Sequence, residues 1–375
     1  LNFRADGSSQ FGPDKRWGYF PSGAVAWIIT EENFMKDYSN IVSYLKLRGS
    51  VGKTGSQNLG AYDWRTLMGS ATYNGAAGIV PSSLGNDILQ WEEQIQKEVG
   101  LDYGFWDDRI RGTLGYYQKK VDNLLYSDPV PTSSSFSSVY QNIGSLKNRG
   151  IEFDVRVDII KNVQKDLTWN VDFNIARNRT TLEKLNSSDG YFGGGAYDYF
   201  KIEEGGETGR FYGYKDAGRL FMTNEELVGL KTIDPKTGTL KYYRDDYNYE
   251  RQGDVYIMDL DGDGQITADG DRTVIGNANP DFFGGFGSTL YWKGLMLNAV
   301  FSYSVGGDRF WDEEKNSSGD MNVYNTSNRI LDSWTVNPGV NASYPRAMYY
   351  GWGSNSIITD RYIHDASYLR MTALN

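Results

Sequence analysis

Several segments of this chain alternate apolar and polar residues with a period of two, and this pattern restricts the fold more than any other feature. Alternation is clearest at 151–158 and 168–175, and it recurs at 98–105, 45–51 and 295–303. Successive side chains of a β-strand point to opposite faces, so each segment predicts a strand with one apolar and one polar face. The segments approach the roughly ten residues that a tilted strand needs to cross a bilayer. Charged residues recur on the polar faces, and a water-filled interior permits them.

The connections between these segments alternate in length. Trp106-Asp107-Asp108 and Lys293-Gly294 are short enough for tight hairpins, whereas the other connections are long and rich in Gly, Ser, Asn and Tyr. Short turns at one rim and long loops at the other are typical of an outer-membrane β-barrel. The predicted long extracellular loops cover roughly 54–94, 119–148, 178–281 and 305–365.

Together these patterns predict an all-β fold, a transmembrane antiparallel β-barrel in which residues 1–375 form part of a single domain. A soluble β-sandwich or β-propeller also alternates. The strand length, the charged faces and the aromatic strand ends favour the barrel. A mean hydropathy of -0.55 fits a wide barrel with a wet interior. No apolar run reaches the roughly 18 residues of a transmembrane helix. The aromatic residues predicted at the membrane interfaces are Tyr103, Phe105, Trp106, Tyr116, Tyr117, Trp169, Tyr291 and Trp292.

Charge and residue types argue against several functions. A net charge of -10 disfavours nucleic-acid binding, which needs clustered Lys and Arg. The chain has no cysteine and one histidine, His364, so neither a thiolate site nor a two-histidine metal centre can form within it. Glu92-Glu93 and Asp107-Asp108 are adjacent pairs, and adjacent strand residues point to opposite faces, unlike the facing carboxylates of a glycosidase. We therefore expect no catalytic residues and no required cofactor.

Seven ordered stretches resemble the SusC/RagA family of TonB-dependent outer-membrane transporters along nearly the whole chain. Among them are GRFYGYKDAGRLF, RTVIGNANPDFFGGF after the motif DLDGDG, and DRYIHDASYLR. Several of the matches are long, which makes the resemblance specific. The matching stretches are 4–27, 43–64, 89–125, 129–153, 209–221, 272–286 and 360–370.

The resemblance implies a barrel of about 22 strands with a plugged lumen in the outer membrane of a Gram-negative bacterium. It implies import of an oligosaccharide or peptide, powered by TonB and assisted by a SusD-like lipoprotein that lids the extracellular mouth. The plug, the TonB box, the amino-terminal domain and the last strands are expected to lie outside this chain. Two alternatives stay open, a siderophore or vitamin receptor and, from a different class, a secreted β-rich glycan-binding or glycan-cleaving protein.

An acidic, glycine-spaced loop is the candidate metal site. Asp259, Asp261 and Asp263 occupy positions 1, 3 and 5 of a loop that turns at Gly264 and continues with Gln265. An EF-hand-like loop gathers side-chain oxygens in this order and adds a backbone carbonyl at position 7. The pattern predicts a structural Ca²⁺ that stiffens an extracellular loop.

The far end of this loop departs from the EF-hand pattern. Position 12 is Gly270 rather than the usual bidentate Glu. Asp271 is the candidate that closes the loop, with Asp269 as the second choice. The alternative is a solvated turn in which the Asp side chains cap their own backbone amides.

Two aromatic clusters in the predicted loops are candidate contacts for a ligand or for the lipoprotein lid. Flat rings beside polar groups suit stacking on sugar faces or holding peptide side chains. The alternative, which we favour, is that these rings pack loop against loop or against the lid. The candidates are Tyr191, Tyr197 and Tyr199 in one cluster and Tyr349, Tyr350 and Trp352 in the other.

Overall fold

A computed structural model gives the fold as one large antiparallel sheet with smaller sheets in its long connections. Ten strands form the large sheet in the order β1-β2-β3-β6-β7-β10-β11-β20-β21-β24, each pairing with the next strand of the set along the chain. The structure describes residues 1–136, 138–162, 164–185, 191–193, 199–222, 232–233, 240–241, 252–264, 266–319, 325–339, 342–347, 355 and 357–375.

The strands are numbered in chain order. The first twelve are β1 (Asn2–Gly7), β2 (Trp17–Ile28), β3 (Val42–Ser56), β4 (Met68–Tyr73), β5 (Ala76–Pro81), β6 (Glu92–Phe105), β7 (Ile110–Asp122), β8 (Leu125–Pro129), β9 (Ser138–Asn142), β10 (Ser145–Asn162), β11 (Leu167–Lys184) and β12 (Tyr191–Gly193). The others are β13 (Phe200–Ile202), β14 (Arg210–Tyr214), β15 (Asp216–Leu220), β16 (Thr232–Ile233), β17 (Leu240–Lys241), β18 (Val255–Ile257), β19 (Arg272–Asn277), β20 (Phe282–Trp292), β21 (Leu295–Val305), β22 (Asp308–Phe310), β23 (Ile363–Asp365) and β24 (Tyr368–Leu374).

Among the described residues, helical structure consists of short segments of three to six residues. The α-helical turns are Ala268–Asp271 and Asp312–Glu314, and Lys315–Gly319 is a π-helical turn. Within the described part of the chain, no helix is long and apolar enough to cross a membrane. The 3₁₀ turns are Pro13–Lys15, Ile29–Glu31, Asn33–Tyr38, Thr132–Ser134, Asn328–Asp332 and Asp360–Tyr362.

Both predicted tight hairpins are present. Trp106, Asp107 and Asp108 adopt φ of 54°, 56° and 59° between β6 and β7, and Lys293 and Gly294 adopt 47° and 83° between β20 and β21. Such left-handed residues twist a short turn to match the right-handed twist of its strands. The four predicted long connections lie at the opposite end of the sheet, which we call the long-loop end. The connection between β2 and β3, residues 29–41, lies at the hairpin end, where the Trp106 amide donates to the Ile41 carbonyl. At the long-loop end the sheet extends further than predicted, because β7 continues to Asp122 and β11 to Lys184.

The strand register separates an apolar face of the large sheet from a charged face. Leu47 pairs with Leu101, Leu101 with Leu114, Leu114 with Phe153, and Phe153 with Ile175, so one apolar row crosses five strands. The neighbouring positions Lys46, Asp102, Thr113 and Asp154 form the equivalent row on the charged face. The alternation predicted from the sequence is therefore confirmed as two chemically distinct faces.

Two tyrosines predicted for the membrane interfaces lie on the charged face instead. Tyr117 pairs with Glu98 and Gly150, and Tyr291 pairs with Thr168. Each follows or precedes an aromatic residue of the apolar face, and successive strand residues point to opposite sides. The prediction that Tyr117 and Tyr291 lie at the membrane interfaces together with Tyr116 and Trp292 was therefore wrong.

At two places on the apolar face, a tyrosine ring lies across a glycine of the neighbouring strand. Tyr103 pairs with Gly112, and its hydroxyl donates to the Asp154 carbonyl of the strand beyond at 3.0 Å. Tyr303 pairs with Gly284, and its hydroxyl donates to the Asn174 carbonyl at 2.8 Å. The glycine leaves room for the ring, and the ring covers backbone that the glycine would expose.

This arrangement predicts different outcomes for two glycines of β7. A Cβ at Gly112 would lie 2.7 Å from the Tyr103 hydroxyl and would collide with the Asp154 carbonyl, whereas a Cβ at Gly115 meets no atom within 4 Å. We expect Gly112→Ala to destabilise the folded sheet by about 1–3 kcal/mol through overpacking. Gly115→Ala serves as the matched control, with an expected change within about 1 kcal/mol. Denaturant unfolding of the complete protein in lipid vesicles measures both, and equal effects would contradict the tyrosine–glycine interpretation.

At the long-loop end of the sheet, the long connections form two hydrophobic cores of their own. The first core joins the β1–β2 and β3–β6 connections with the strand ends beside them, and the second joins the β11–β20 and β21–β24 connections. Fully burying an aliphatic or Phe side chain contributes about 1.5–3 kcal/mol, so each cluster stabilises its loops substantially. The buried residues of the first core are Phe11, Phe20, Leu59, Trp64, Leu89 and Trp91. Those of the second, called here the loop core, are Leu220, Phe221, Val255, Ile257 and Ile266.

Candidate functional site

Paired charges cover the charged face of the sheet between β3, β6 and β7. Lys46 Nζ lies 3.1 Å from Asp102 Oδ2, and Arg48 Nε lies 3.2 Å from Asp102 Oδ1 while the same guanidinium also contacts Glu98. Further along, Arg111 pairs with Asp158 at 3.3 Å. Isolated buried charges would be costly, whereas a hydrated face with alternating signs accommodates them. This face is suited to polar solutes in water.

The acidic loop brings its three leading carboxylates together. Oxygens of Asp259, Asp261 and Asp263 all lie within 4.8 Å of one another. Two of these side chains also hold the loop backbone, as in a capped turn. Asp259 accepts from the Gly262 and Gly264 amides at 2.7 and 2.8 Å, and Asp261 accepts from the Asp263 amide at 3.1 Å. The loop therefore combines the convergent oxygens of a cation site with the internal capping of a turn.

Asp271 anchors the end of this loop. It is completely buried, and its two oxygens accept from the Leu260 and Thr267 amides, each at 2.7 Å. Asp269, the second candidate, is exposed. Gln265 lies outside the described residues. The structure thus places Asp271 where it closes the loop through backbone amides.

The pKa of Asp261 lies above its ordinary value. The Asp263 amide that donates to this carboxylate lowers the pKa, but partial desolvation, the charges of Asp263 and Asp271 and a contact with Asp259 together outweigh it. Negative groups at close range disfavour further negative charge. A cation in the loop would relieve this repulsion.

Tyr199 is the one aromatic candidate whose side chain the structure describes, and it packs against other rings. Its ring stacks on Phe310 at 5.4 Å between centroids and contacts Phe200 at 4.8 Å and Phe211 at 6.2 Å. This packing joins the β11–β20 connection to the β21–β24 connection, as in the loop-packing alternative. The side chain of Tyr191 and residues Tyr197, Tyr349, Tyr350 and Trp352 lie outside the described residues.

A buried polar network that the sequence did not reveal holds the loop core. Asp254 is fully buried and accepts from Asn355 Nδ2 at 2.8 Å and from Arg346 Nη2 at 3.1 Å. Arg346 Nε lies 2.7 Å from the other Asp254 oxygen, in a contact that is ionic rather than a well-aligned hydrogen bond. Asn355 also accepts from the Val255 amide at 2.8 Å. One carboxylate thus joins two long connections.

Two further ion pairs strengthen the same region. Arg361 Nε lies 2.7 Å from Asp216 Oδ2. Burial raises the pKa of Asp216 above its ordinary value, although the Arg361 charge acts in the opposite direction. Buried Glu314 contacts Arg329, and the His364 Nε2 lies within hydrogen-bond distance of it. His364, for which the sequence predicted no special role, therefore helps to neutralise a buried carboxylate when protonated.

Comparison with known families identifies one that covers most of the chain. The family described as "TonB dependent receptor-like, beta-barrel" matches residues 1–357. This match spans the large sheet up to β21 together with the connections that carry the loop core.

Curated relatives and solved structures agree with this family. A TonB-dependent receptor of Formosa agariphila is 32% identical over 393 residues, covering 99% of this chain and 37% of the relative. The TonB-dependent receptor SusC of Bacteroides thetaiotaomicron is 32% identical over 384 residues, covering 99% and 35%. The structure of the RagAB peptide transporter matches with a TM-score of 0.75 and 27% identity, over 99% of this chain and 38% of that chain. This chain thus spans little more than a third of the length of these relatives.

Proposed function

This chain belongs to the TonB-dependent receptor-like β-barrel family, of the SusC and RagA type, and from this membership we propose that the complete protein imports a nutrient across the outer membrane of a Gram-negative bacterium. The observation that carries the proposal is the ten-stranded sheet, with its apolar face on one side and its charged face on the other. An outer-membrane barrel needs the apolar face for lipid and the charged face for a hydrated lumen.

The proposed substrate is an oligosaccharide or a peptide. The peptide part of this range is supported by the similarity to the RagAB peptide transporter. The oligosaccharide part follows from the resemblance to the SusC/RagA family. A charged, hydrated wall disfavours a strongly apolar cargo, because desolvating its ion pairs would be costly. Members of this family act in transport, and the proposal accordingly includes no chemical change of the substrate.

The proposed partners are TonB and a SusD-like surface lipoprotein. The lipoprotein would cover the long-loop end and trap substrate above the barrel, and TonB would move the plug so that substrate passes along the charged face. Both partners follow from the SusC and RagA relationship. Outer-membrane lipid surrounds the apolar face in this proposal, and nucleic acid has no role.

Purification of the complete protein from its own outer membrane tests the proposal. We expect the protein to require detergent, to change mobility on gels after heating, and to bring a SusD-like lipoprotein with it. Uptake of labelled oligosaccharides or peptides by cells should stop when the membrane potential is collapsed with a protonophore. A complete protein that is soluble without detergent would overturn the barrel assignment, and uptake insensitive to the protonophore would overturn TonB-dependent import.

We also propose that the loop formed by Asp259, Asp261 and Asp263 binds a structural Ca²⁺, with Asp271 closing the loop and the Gln265 carbonyl as a further ligand. The convergent carboxylates and the raised pKa of Asp261 support this proposal. The bound cation would stabilise the segment just before β19. The chain continues from β19 into β20, which is a strand of the barrel wall.

Calorimetric titration with Ca²⁺ checks this loop. Because the loop lacks a bidentate Glu, we expect a Kd of about 10⁻⁴–10⁻³ M, as in extracellular Ca²⁺ modules. Asp261→Asn should weaken binding by about tenfold, since ligand charge sets the affinity. Affinity should also fall as the pH decreases, because a protonated carboxyl is a poor ligand.

Asp269→Asn is the matched control, since Asp269 is exposed on the helical turn after the three carboxylates. It should leave Ca²⁺ affinity almost unchanged. Absence of binding at millimolar Ca²⁺, or equal losses in both variants, would contradict the cation site.

A further inference from the structure

A row of basic side chains lies on the apolar face of the sheet, at its long-loop end. Lys97 pairs with Gln118, Gln118 with Arg149, and Arg149 with Arg179, so these residues form one row across four strands. Arg177 belongs to the adjacent row, opposite Ile151. Arg149 precedes Ile151 by two residues, about 7 Å along the strand. The apolar face therefore changes within one step from aliphatic to strongly basic.

Arg149 in this row and Arg177 in the adjacent row have no partner within the described residues. Arg149 and Arg177 are exposed, and among those residues no hydrogen bond or ion pair joins either side chain to another group. Arg179 differs, because Asp281 holds its Nη2 at 2.8 Å and the Pro280 carbonyl holds its Nη1 at 2.5 Å. In a chain with a net charge of -10, two guanidinium groups that no described residue pairs, beside a third, are unexpected on a lipid-facing surface.

These arginines line a shallow cleft of ≈ 350 Å³. Its lower wall consists of the Tyr116 ring and the Ile151 side chain, and Glu207 lines the far side next to Arg179. The cleft thus combines an apolar floor, continuous with the apolar face, and cationic groups at its upper rim. This combination matches an amphiphile whose anionic head lies directly above its hydrocarbon chains.

We propose that this cleft binds the phosphate group of a phosphorylated lipid in the outer leaflet, with Arg149 and Arg177 as the phosphate ligands. The planar guanidinium group donates two parallel hydrogen bonds, which suits phosphate oxygens better than a point charge does. The acyl chains lie along Ile151 and Tyr116 towards the centre of the apolar face. This inference rests on the proposed function, because it requires the long-loop end to face the outer leaflet.

The position of the cleft distinguishes this ligand from the transported substrate. Arg149, Arg177 and Ile151 lie on the apolar face, whereas the ion pairs of Lys46 and Arg48 lie on the opposite, charged face. A solute in the lumen cannot contact both. The lipid therefore anchors the barrel wall in the outer leaflet and takes no part in import.

Binding of bisphosphorylated lipid A to the complete protein in detergent tests the proposal, with native mass spectrometry to count the lipid that is retained. Each cation near an anionic membrane surface contributes about fivefold to affinity, so Arg149→Gln combined with Arg177→Gln should weaken binding about 25-fold. Enzymatically dephosphorylated lipid should bind the unchanged protein with an affinity that is lower by a similar factor.

Arg111→Gln combined with Arg156→Gln is the matched control, because it removes the same charge from the charged face. This control should keep lipid affinity within about twofold. Equal weakening in both double variants, or equal binding of dephosphorylated lipid, would overturn the proposal, as would full competition by millimolar inorganic phosphate. A change in gel mobility on heating confirms that each variant is a folded barrel. If this change is missing, the barrel assignment fails, and that outcome is distinct from loss of lipid binding by a folded barrel.

Discussion

Replacing Arg346 with alanine is expected to destabilise the loop core by about 3–5 kcal/mol. The substitution removes the Arg346 cation from the Asp254 carboxylate, which is 0% exposed. The Asn355 amide remains, but a neutral donor does not replace the charge of the lost guanidinium beside a buried carboxylate. The loss should appear as local opening of the long connections, because the ten-stranded sheet does not include Asp254.

Hydrogen–deuterium exchange measures this effect at the amides that the network holds. The Phe221 amide donates to the Asp254 carbonyl at 2.9 Å, and the Val255 amide donates to Asn355 at 2.8 Å. Exchange in the peptides that contain them should accelerate about 100-fold or more, since each factor of ten corresponds to about 1.4 kcal/mol. Exchange at Leu114 in the barrel wall should not change.

Arg219→Ala is the matched control for Arg346→Ala. Arg219 is exposed in the same region, where its guanidinium lies 4.2 Å from the centre of the Tyr256 ring. Its loss should cost about 0.5–1 kcal/mol, the usual size of an exposed cation–π contact. If both variants accelerate exchange equally, or if Arg346→Ala has no effect, the buried network does not stabilise the loop core.

Placing a charge at Leu114 is expected to destabilise the barrel wall by about 2–4 kcal/mol. Leu114 is 44% exposed on the apolar face, between Leu101 and Phe153 in the row that crosses five strands. In the outer membrane an arginine at this position would face hydrocarbon, where a guanidinium finds neither water nor a counter-ion. Denaturant unfolding of the complete protein in lipid vesicles measures the loss, and the folded fraction in cells should fall with it.

Thr113→Arg is the control for Leu114→Arg, because it introduces the same side chain one residue away. Thr113 lies on the charged face opposite Asp102 and Asp154, so the new cation would meet water and carboxylates. We expect a change within about 0.5–1 kcal/mol. If Leu114→Arg is tolerated as well as Thr113→Arg, the apolar face does not contact lipid.

The sequence was sufficient to predict strands and faces because alternation is a local property. Residues 151–158 alternate within a single strand, and the register of β10 with β11 confirms that Ile151, Phe153, Val155 and Val157 share one face. The tight hairpins could be predicted for the same reason, since turn residues and chain distance lie within a few positions. Aromatic content at strand ends was a weaker guide, and it placed Tyr117 and Tyr291 on the wrong face.

The candidate site was only partly predictable. The acidic residues of the loop are neighbours in sequence, so their convergence was predicted and is present in the structure. Asp271 accepts hydrogen bonds from the backbone amides of Leu260 and Thr267. The helical turn Ala268–Asp271 determines that Asp271 rather than Asp269 is buried. The role of Tyr199 also required the fold, because its partner Phe310 belongs to another connection.

By itself the sequence determined the class of fold, the two faces of its strands and the family resemblance, since these depend on residues that are close along the chain. Only the tertiary structure decided that Asp254 meets Arg346 and Asn355, that Tyr103 covers Gly112, and that Arg149 and Arg177 share a cleft. The physical reason is that such contacts depend on strand register and loop packing between distant residues. A period of two indicates which face a side chain occupies but not which distant side chain it meets there.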